Sequence, residues 1–269
     1  MAEISASMVK ALREETGQGM MECKKALQET HGDVSAAKDL LRARGQVKAE
    51  KKSARAASEG LVEIVLAGKA ATMVEVACET DFCARNDEFR SMVGEVAAMA
   101  AAAAAGEIPA SDKITRRVQQ TFEKIGENMR YVRGVKIEGA AVGSYKHHNN
   151  KVGVLVAVDS PLDAALLSEL CMHIAFHNPM GIAAEDIPAE VMAKEKEIAI
   201  AQAMEQGKPK DIAEKMVVGK LRKFQEQNCL LEQPFIRDET KKVKELLGKA
   251  KVLAFARFEV GQGGAPAAE

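Results

Sequence analysis

The sequence predicts an α+β protein with an amino-terminal three-helix bundle, a duplicated α+β core and an antiparallel helical hairpin inserted into that core. Three observations predict this class. Apolar residues recur at helical spacing through the first 55 residues, the spacing changes to the alternation of strands from Gly60, and the order hairpin, helix, strand then occurs twice. A chain of 269 residues, 47% of them hydrophobic, is long enough to bury the core of more than one unit.

Residues 1–55 carry three helical patterns separated by turns that contain glycine. Ser5 or Ser7 caps the first helix, which ends at the turn of residues 16–19. The second helix stops just before Asp33, which caps the third. A bundle of this size is marginally stable alone. The apolar positions at helical spacing are Val9, Leu12, Met21, Ala26, Leu27, Val34, Ala37, Leu40 and Leu41.

Residues 56–140 are predicted to form the first α+β unit. The sequences LVEIVLAG and ATMVEVA alternate on either side of Gly68 and Lys69, which predicts a β-hairpin. A helix is predicted over residues 87–105, up to the next glycine, because the segment is rich in helix formers and includes six consecutive alanines. A second helix over residues 114–125 leads to the strand RYVRGVKIEG.

Residues 141–187 and 235–262 repeat this order as the second α+β unit. AVGSYKHH and KVGVLVAVDS predict a hairpin, LDAALLSELCMHIAFH a helix, and LAFARFEVG a closing strand. An insertion at residues 188–234 carries two amphipathic segments on either side of a Gly-Lys-Pro turn, which predicts a projecting helical hairpin. Residues 263–269 are predicted to be a flexible tail.

Composition and charge exclude several classes of function. The 38 Lys+Arg and 39 Asp+Glu leave a net charge of -1, so no global field attracts a phosphate backbone or a membrane surface. No stretch approaches the ~20 apolar residues of a membrane span, and the start MAEISASMVKALREE lacks the order of a secretory signal. The five cysteines are scattered and odd in number, so reduced thiols and a cytoplasmic location are expected.

The sharpest candidate for a metal site is the group Cys171, His173 and His177, because histidines four residues apart share a helix face. No acid completes an HExxH arrangement, and the core needs the same helix face. The pair Cys78 and Cys83 is a weaker candidate, and no Ser/His/Asp constellation or glycine-rich phosphate loop is present. We therefore expect no metal, no cofactor and no catalytic residue, and a protein that is not an enzyme.

The connection between hairpin and helix distinguishes the two units. The first unit inserts ETDFCARND at this point, whereas the second passes directly through DSPLD. The added segment carries Phe82 among polar neighbours. A large apolar side chain in such a loop is costly unless it is buried, either against its own hairpin or in a partner. Both alternatives follow from the residues alone.

Several motifs in a fixed order resemble the elongation factor Ts family. They are TGQGMMECKKAL and GDVSAAKDLLR in the bundle, ETDFCARNDEF, KIGENMRYVR and GSYKHH in the core, and GKPKDIAEKMVVGKLRKF with RFEVGQG near the end. The resemblance covers nearly the entire chain. Cys83 and Arg85 depart from the Val and Lys that the family usually has in the added loop. The bundle also resembles ubiquitin-associated domains in shape.

This resemblance implies a guanine nucleotide exchange factor for elongation factor Tu, a GTPase that it binds preferentially without nucleotide. Asp81 and Phe82, preceded by Thr80, stand where the family places a loop that wedges near the Mg²⁺ and phosphate site of the GTPase. The other partner-binding residues that the resemblance implies are Arg13, Met20, Met21 and Lys24 in the bundle, Ile125 and Gly126 in the first unit, and His147 or His148 in the second. Judged without the family, Met20, Met21 and Ile125 are also ordinary packing residues.

An RNA- or ribosome-binding protein is the alternative from another class. It is motivated by two basic stretches on predicted helices. Such runs are usually solvated helix faces, and no aromatic residues are interleaved for base stacking. We therefore expect no direct nucleic-acid contact and no membrane contact. The basic residues concerned are Lys48, Lys51, Lys52 and Arg55 after the bundle, and Lys215, Lys220, Arg222 and Lys223 in the insertion.

Overall fold

The structure is a computed structural model that describes residues 4–52, 55–205 and 210–262. The predicted tail at residues 263–269, the turn of the inserted hairpin at residues 207–209, and the side chains of Lys48 and Lys51 lie outside this description. None of the helices in the described ranges combines the length and the apolar character that crossing a membrane requires. The α+β class predicted from the sequence is confirmed.

The amino-terminal part consists of three helices, α1 (Ala6–Thr16), α2 (Met20–Glu29) and α3 (Val34–Lys52). Of the two serines that could cap α1, Ser5 does so, because its hydroxyl accepts the Met8 amide at 3.2 Å. Asp33 accepts the Ala36 amide at 3.0 Å at the start of α3. The three helices pack through one small apolar cluster, which consists of Val9, Leu12, Cys23, Ala26, Leu27, Ala37 and Leu41.

The first α+β unit is a four-stranded antiparallel sheet covered by helices on one face. Its strand order is β1-β2-β4-β3. The elements along the chain are β1 (Glu59–Ala67), β2 (Ala70–Cys78), α4 (Asp81–Arg85), α5 (Asp87–Ala101), β3 (Gly106–Glu107), α6 (Asp112–Ile125) and β4 (Met129–Glu138).

The second unit is a three-stranded antiparallel sheet in the order β5-β6-β9, and a two-stranded ribbon of β7 and β8 accompanies it. The helices α8 and α9 of the insertion pack against each other. The elements are β5 (Ala141–Lys146), β6 (Val152–Val158), α7 (Ala164–His177), α8 (Ala189–Glu205), α9 (Lys210–Asn228), β7 (Pro234–Phe235), β8 (Asp238–Lys242), α10 (Val243–Leu246) and β9 (Val252–Glu259).

The two units have the same strand connections and the same irregularity. In each, a hairpin is followed by a helix and a strand that returns to pair with the second hairpin strand. The first register shifts after Glu75, which pairs with Arg133, and the second shifts after Ala157, which pairs with Ala254. In both units the irregularity lies in the second hairpin strand, where that strand pairs with the returning strand.

The two sheets pack face to face, and helices cover their outer faces. The layer between the sheets contains Val62, Met73, Leu155 and Phe258. A second apolar cluster lies between the first sheet and helices α4, α5 and α6, and a third lies between the second sheet and α7. Because strand residues alternate between faces, each sheet contributes one set of side chains to the layer between them and another to its helices.

Three features differ from the sequence prediction. The helix expected over residues 87–105 ends at Ala101, where the Lys136 amine donates to the carbonyls of Ala101 at 3.2 Å and Ala103 at 2.9 Å. The segment expected to be a loop after β2 forms the short helix α4. The ribbon β7–β8 and helix α10 were not predicted, since elements of two to five residues are too short to show a period.

Candidate partner-binding site

Phe82 lies on α4 and points away from the protein. Thr80 caps this helix, since its hydroxyl accepts the Cys83 amide at 3.1 Å. Cys83 and Ala84 face the core and are 3% and 6% exposed, whereas Phe82 is 79% exposed. Successive helical residues point about 100° apart, so the two buried residues hold Phe82 outside. The alternative that Phe82 folds back onto its own hairpin is therefore wrong.

Asp81 lies beside Phe82 at the first position of α4. Its carboxylate forms an ion pair with Arg85 at 3.1 Å, and both side chains are exposed. An exposed pair of this kind contributes about 1 kcal/mol or less. The Asp81 carboxylate can therefore leave Arg85 and pair with another positive group at little cost in free energy.

Ile125 and Gly126 lie at the end of α6, and the segment that follows them contacts the start of α4. Thr80 donates its amide and its hydroxyl to the Glu127 carboxylate. Ile125 packs half-buried against the core of the first unit, and Gly126 ends the helix with φ 79°, in the left-handed region. The structure thus brings Thr80, Asp81, Phe82, Ile125 and Gly126 into one part of the first unit.

The bundle residues predicted to bind a partner are exposed. Met20 and Met21 are 44% and 62% exposed at the start of α2, and Arg13 and Lys24 are also exposed. The packing interpretation of the two methionines is therefore not supported, because buried apolar contact would remove most of this area from water. Gly19, which precedes Met20, lines the same cleft as Gly126, with a volume of about 970 Å³.

Close backbone contacts join the bundle to α6. A β-carbon on Gly17 would lie 2.9 Å from Cγ of Lys124, and one on Gly45 would lie 2.9 Å from Cγ of Glu123. The Lys52 amine at the end of α3 donates to the Gly126 carbonyl. The bundle therefore meets the first unit at the same helix end that carries the predicted contact residues.

His147 and His148 lie in the turn between β5 and β6, in the second unit. Nδ1 of His147 is 2.7 Å from the Tyr145 hydroxyl, and His147 is half-buried. His148 is exposed, and its ring centroid lies 4.2 Å from that of His147. Of the two histidines, His148 is the one that presents its ring to solvent.

His173, the centre of the metal-site alternative, has both ring nitrogens engaged within the protein. Nε2 lies 2.9 Å from Gln233 Oε1, and Nδ1 accepts the Ile236 amide at 3.3 Å. Its side chain is completely buried, and burial lowers the pKa of His173 to about 4. Burial also raises the pKa of Cys171 to about 12. In the described ranges no three His, Cys, Asp or Glu residues are grouped to hold a metal ion.

The basic stretches behind the RNA-binding alternative are partly engaged within the protein. Lys52 contacts Gly126, and Arg55 pairs with Glu79 at 3.4 Å. Arg222 pairs with Glu226 at 3.3 Å along α9, and Lys220 donates to Gln202. Lys215 and Lys223 are exposed. These contacts favour solvated or structural helix faces over a continuous phosphate-binding surface.

Sequence reasoning missed Glu79, Glu127 and Asn128. Asn128 donates its amide to Glu79 at 2.6 Å, and Glu127 accepts from Thr80. The only signal was the position of Glu127 and Asn128, directly after a helix-ending glycine and before a strand. Polar residues at such a point are ordinary loop residues until their distant partners are known.

Comparisons with known proteins show extensive similarity. The family model described as "Elongation factor TS" matches residues 79–262. Elongation factor Ts of Idiomarina loihiensis is 45% identical over 269 residues, which cover 97% of this chain and 92% of that protein. Elongation factor Ts of Pasteurella multocida is 47% identical over 266 residues, covering 98% and 94%. That of Thioalkalivibrio sulfidiphilus is 44% identical over 273 residues, covering 97% and 93%.

Proposed function

The chain belongs to the elongation factor Ts family, and from this premise we propose that it is a guanine nucleotide exchange factor for elongation factor Tu. In this proposal α4 wedges near the Mg²⁺ and phosphate site of the GTPase and promotes GDP release. The protein acts by binding its partner and makes or breaks no covalent bond. The proposal includes a cytoplasmic location, no cofactor, and no membrane or nucleic-acid contact.

The observation that carries the wedge is the exposure of Phe82. A phenylalanine that is 79% exposed beside two buried residues leaves a large apolar surface in water. Burying it in a partner contributes about 1.5–3 kcal/mol. Asp81, one position earlier, brings a carboxylate that competes for the positive groups and the metal ion around a bound phosphate. An apolar wedge and a negative charge together act against bound Mg²⁺ and GDP.

Binding must differ between the two forms of the GTPase. An exchange factor speeds GDP loss only if it binds the nucleotide-free form more tightly than the GDP-bound form. By linkage, bound GDP then lowers the affinity of the GTPase for the exchange factor by the same ratio. Reversing the dominant state needs ~10⁴-fold differential affinity, about 5.5 kcal/mol. Phe82 alone contributes too little, so the complex needs a wide contact area.

We assign these wider contacts by domain. Residues 1–55, a bundle like a ubiquitin-associated domain, bind the GTPase through Arg13, Met20, Met21 and Lys24. Residues 56–140 supply the wedge with Ile125 and Gly126. Residues 141–187 and 235–262 supply the histidine contact, which we assign to His148 because it is exposed. Residues 188–234 form the hairpin insertion, and residues 263–269 are the tail.

The test compares Phe82→Ala with Phe176→Ala. Phe176 lies on α7 of the second unit and is 75% exposed, so it matches Phe82 in residue type and exposure. We expect Phe82→Ala to slow the release of labelled GDP from purified elongation factor Tu by about tenfold or more, since the lost burial is about 1.5–3 kcal/mol. Phe176→Ala is expected to act like the wild type.

Circular dichroism of both variants is expected to match the wild type, because neither ring supports its own core. Unchanged stimulation by Phe82→Ala would remove the wedge from the proposal. Salt-dependent gel shifts with tRNA test the alternative function, and binding lost on Lys215→Ala and Lys223→Ala would favour it over the exchange factor.

A further inference from the structure

Two segments of the first unit exchange carboxylate contacts. Glu79 and Thr80 follow β2, and Glu127 and Asn128 follow α6. Glu79 accepts the Asn128 amide at 2.6 Å, and Glu127 accepts the Thr80 amide at 3.2 Å. Each segment thus uses a glutamate to hold the backbone of the other. We refer to these four residues as the glutamate clasp.

We propose that Glu127 is a positioning residue for the wedge, holding the amino-terminal end of α4 so that Phe82 keeps its outward direction. The inference rests on the proposed exchange function. It adds a residue that does not touch the partner and acts through the orientation of another side chain.

The hydroxyl of Thr80 explains why the carboxylate matters. Its oxygen lies 3.0 Å from both carboxylate oxygens of Glu127 and accepts the Cys83 amide at 3.1 Å. A hydroxyl has one proton to donate. When that proton points to Glu127, a lone pair is left to cap α4 at Cys83. Glu127 therefore sets the direction of the cap as well as holding the backbone of Thr80.

Hydrogen bonds to a charged acceptor are stronger than neutral ones. They matter most where few other contacts fix the backbone, and α4 has only five residues, too short for a helix to be stable alone. Its attachment includes the buried Cys83 and Ala84 on one side and, at its start, the clasp and the Cys78 thiol, which donates to the Thr80 carbonyl at 3.3 Å. Without Glu127 the first turn keeps the core contacts and the Cys78 contact, but the Thr80 amide and hydroxyl lose their charged acceptor.

The clasp also joins the wedge to the bundle. Lys52 donates to the Gly126 carbonyl, Asn128 donates its side-chain amide to the Arg55 carbonyl at 2.8 Å, and Arg55 pairs with Glu79. Lys52 at the end of α3 and Arg55 after it therefore contact the same segments that hold α4. A partner that binds the bundle meets a wedge whose position is already fixed relative to it.

The experiment uses the full chain and four variants: Glu127→Ala, Phe82→Ala, the double variant and Glu107→Ala. Glu107 is an exposed glutamate on β3 of the same sheet and serves as the matched control. We expect Glu127→Ala to lower the maximal rate of GDP release at saturating factor by roughly threefold to tenfold. The concentration that gives half-maximal release should stay within about twofold of the wild-type value.

The double variant separates positioning from a general structural role. If Glu127 acts through Phe82, Glu127→Ala has no further effect once Phe82 is alanine. A further loss in that background, or a wild-type rate for Glu127→Ala alone, overturns the inference while leaving the exchange function standing. If wild-type protein does not stimulate GDP release at all, the exchange function itself fails. That result differs from the two outcomes that overturn only the role of Glu127.

Amide hydrogen exchange of the free protein gives a readout that needs no partner. Cys83 and Ala84 donate their amides to Thr80 at 3.1 Å each. We expect Glu127→Ala to speed the exchange of both amides by about tenfold while Glu107→Ala leaves them unchanged. Equal protection in both variants overturns the positioning role. Should Glu127→Ala fail to fold, Glu127→Gln decides the question in both assays, with effects in the same direction, and wild-type behaviour overturns the inference.

Discussion

In the first unit the chain leaves β2 through α4 and exposes Phe82, whereas in the second it leaves β6 through residues 159–163 and enters α7 directly. Asp163 caps α7 by accepting the Ala165 amide at 2.9 Å, so the connection from β6 to the cap of α7 is short. The strand connections of the two units are otherwise the same. The two units thus differ in the connection between hairpin and helix, whereas their sheets keep the same strand connections.

The residue pairs at the two register shifts differ between the units. The first unit places Glu75 opposite Arg133, with an Nε to Oε2 distance of 2.7 Å, and the guanidinium lies 4.2 Å from the ring centroid of Phe258. The second unit has Ala157 opposite Ala254. The ion pair of the first unit packs against the end of β9 and the residues after it, where Arg133 donates to the Glu259 carbonyl at 3.3 Å and Glu75 accepts the Gly261 amide at 3.2 Å.

Glu75→Ala has the largest expected effect on stability. Glu75 is 1% exposed, and its removal leaves Arg133 half-buried without its carboxylate, so we expect the free energy of unfolding to fall by about 3–5 kcal/mol. Urea denaturation of the variant and the wild type measures this fall in the free energy of unfolding. Glu63→Ala is the control, because Glu63 pairs with Lys146 at 2.8 Å in a more exposed place and should cost about 1 kcal/mol or less. Equal costs for the two variants would contradict the structural asymmetry of the units.

The helices that cover the two sheets differ in what they bury. The residues that α5 buries are all apolar, whereas α7 also buries His173. Burial lowers the pKa of His173 to about 4 from the ordinary 6.5, and burial also lowers the pKa of His177, whose ring centroid is 4.4 Å away. The folded protein therefore binds fewer protons than the unfolded chain between these pH values. The stability that the neutral His173 contributes is fully present above about pH 6.5 and is lost as the pH falls toward 4.

We expect this histidine to contribute about 2–3 kcal/mol of the stability lost between pH 6.5 and pH 4, on the basis of the shift to about 4. Urea denaturation at several pH values measures the slope for the wild type and for His173→Gln, which should show a shallower slope. His148→Gln is the control with an exposed ring and should keep the wild-type slope. A wild-type slope in His173→Gln would show that other groups carry the pH dependence.

The sequence predicted the order of the long elements because their periods are strong and their ends carry caps such as Ser5 and Asp33. It also made Phe82 a candidate for partner binding, because comparing the two halves revealed the added segment, and Phe82 is exposed in the structure. Glu127 was out of reach, since its partner Thr80 is 47 residues away and nothing local marks the pair. The end of α5 was misplaced because the alanines favour helix, while Lys136, which contacts the last carbonyl of α5, lies 35 residues away from it.

The ends of the two covering helices give the last contrast and the smallest expected effect. Helix α7 ends locally, with Asn178 at φ 45° donating its amide to the Ile174 carbonyl, whereas at the end of α5 Lys136 of β4 donates to the carbonyls of Ala101, the last residue of α5, and of Ala103 beyond it. Lys136→Met keeps the apolar stem and removes the donor. We expect a loss of about 1 kcal/mol in the free energy of unfolding, because the freed carbonyls are near the surface and recover water as a partner.

Thermal and urea denaturation measure this change, and Lys69→Met in the exposed turn between β1 and β2 is the control. If the alanine run alone determined where α5 stops, both variants would unfold alike. If Lys136 determines it, only Lys136→Met loses stability, and the amides of residues 102–105 change their exchange rates because the chain is then free to continue the helix toward Gly106. The first unit would in that case depend on a distant side chain at a point where the second depends on one local residue.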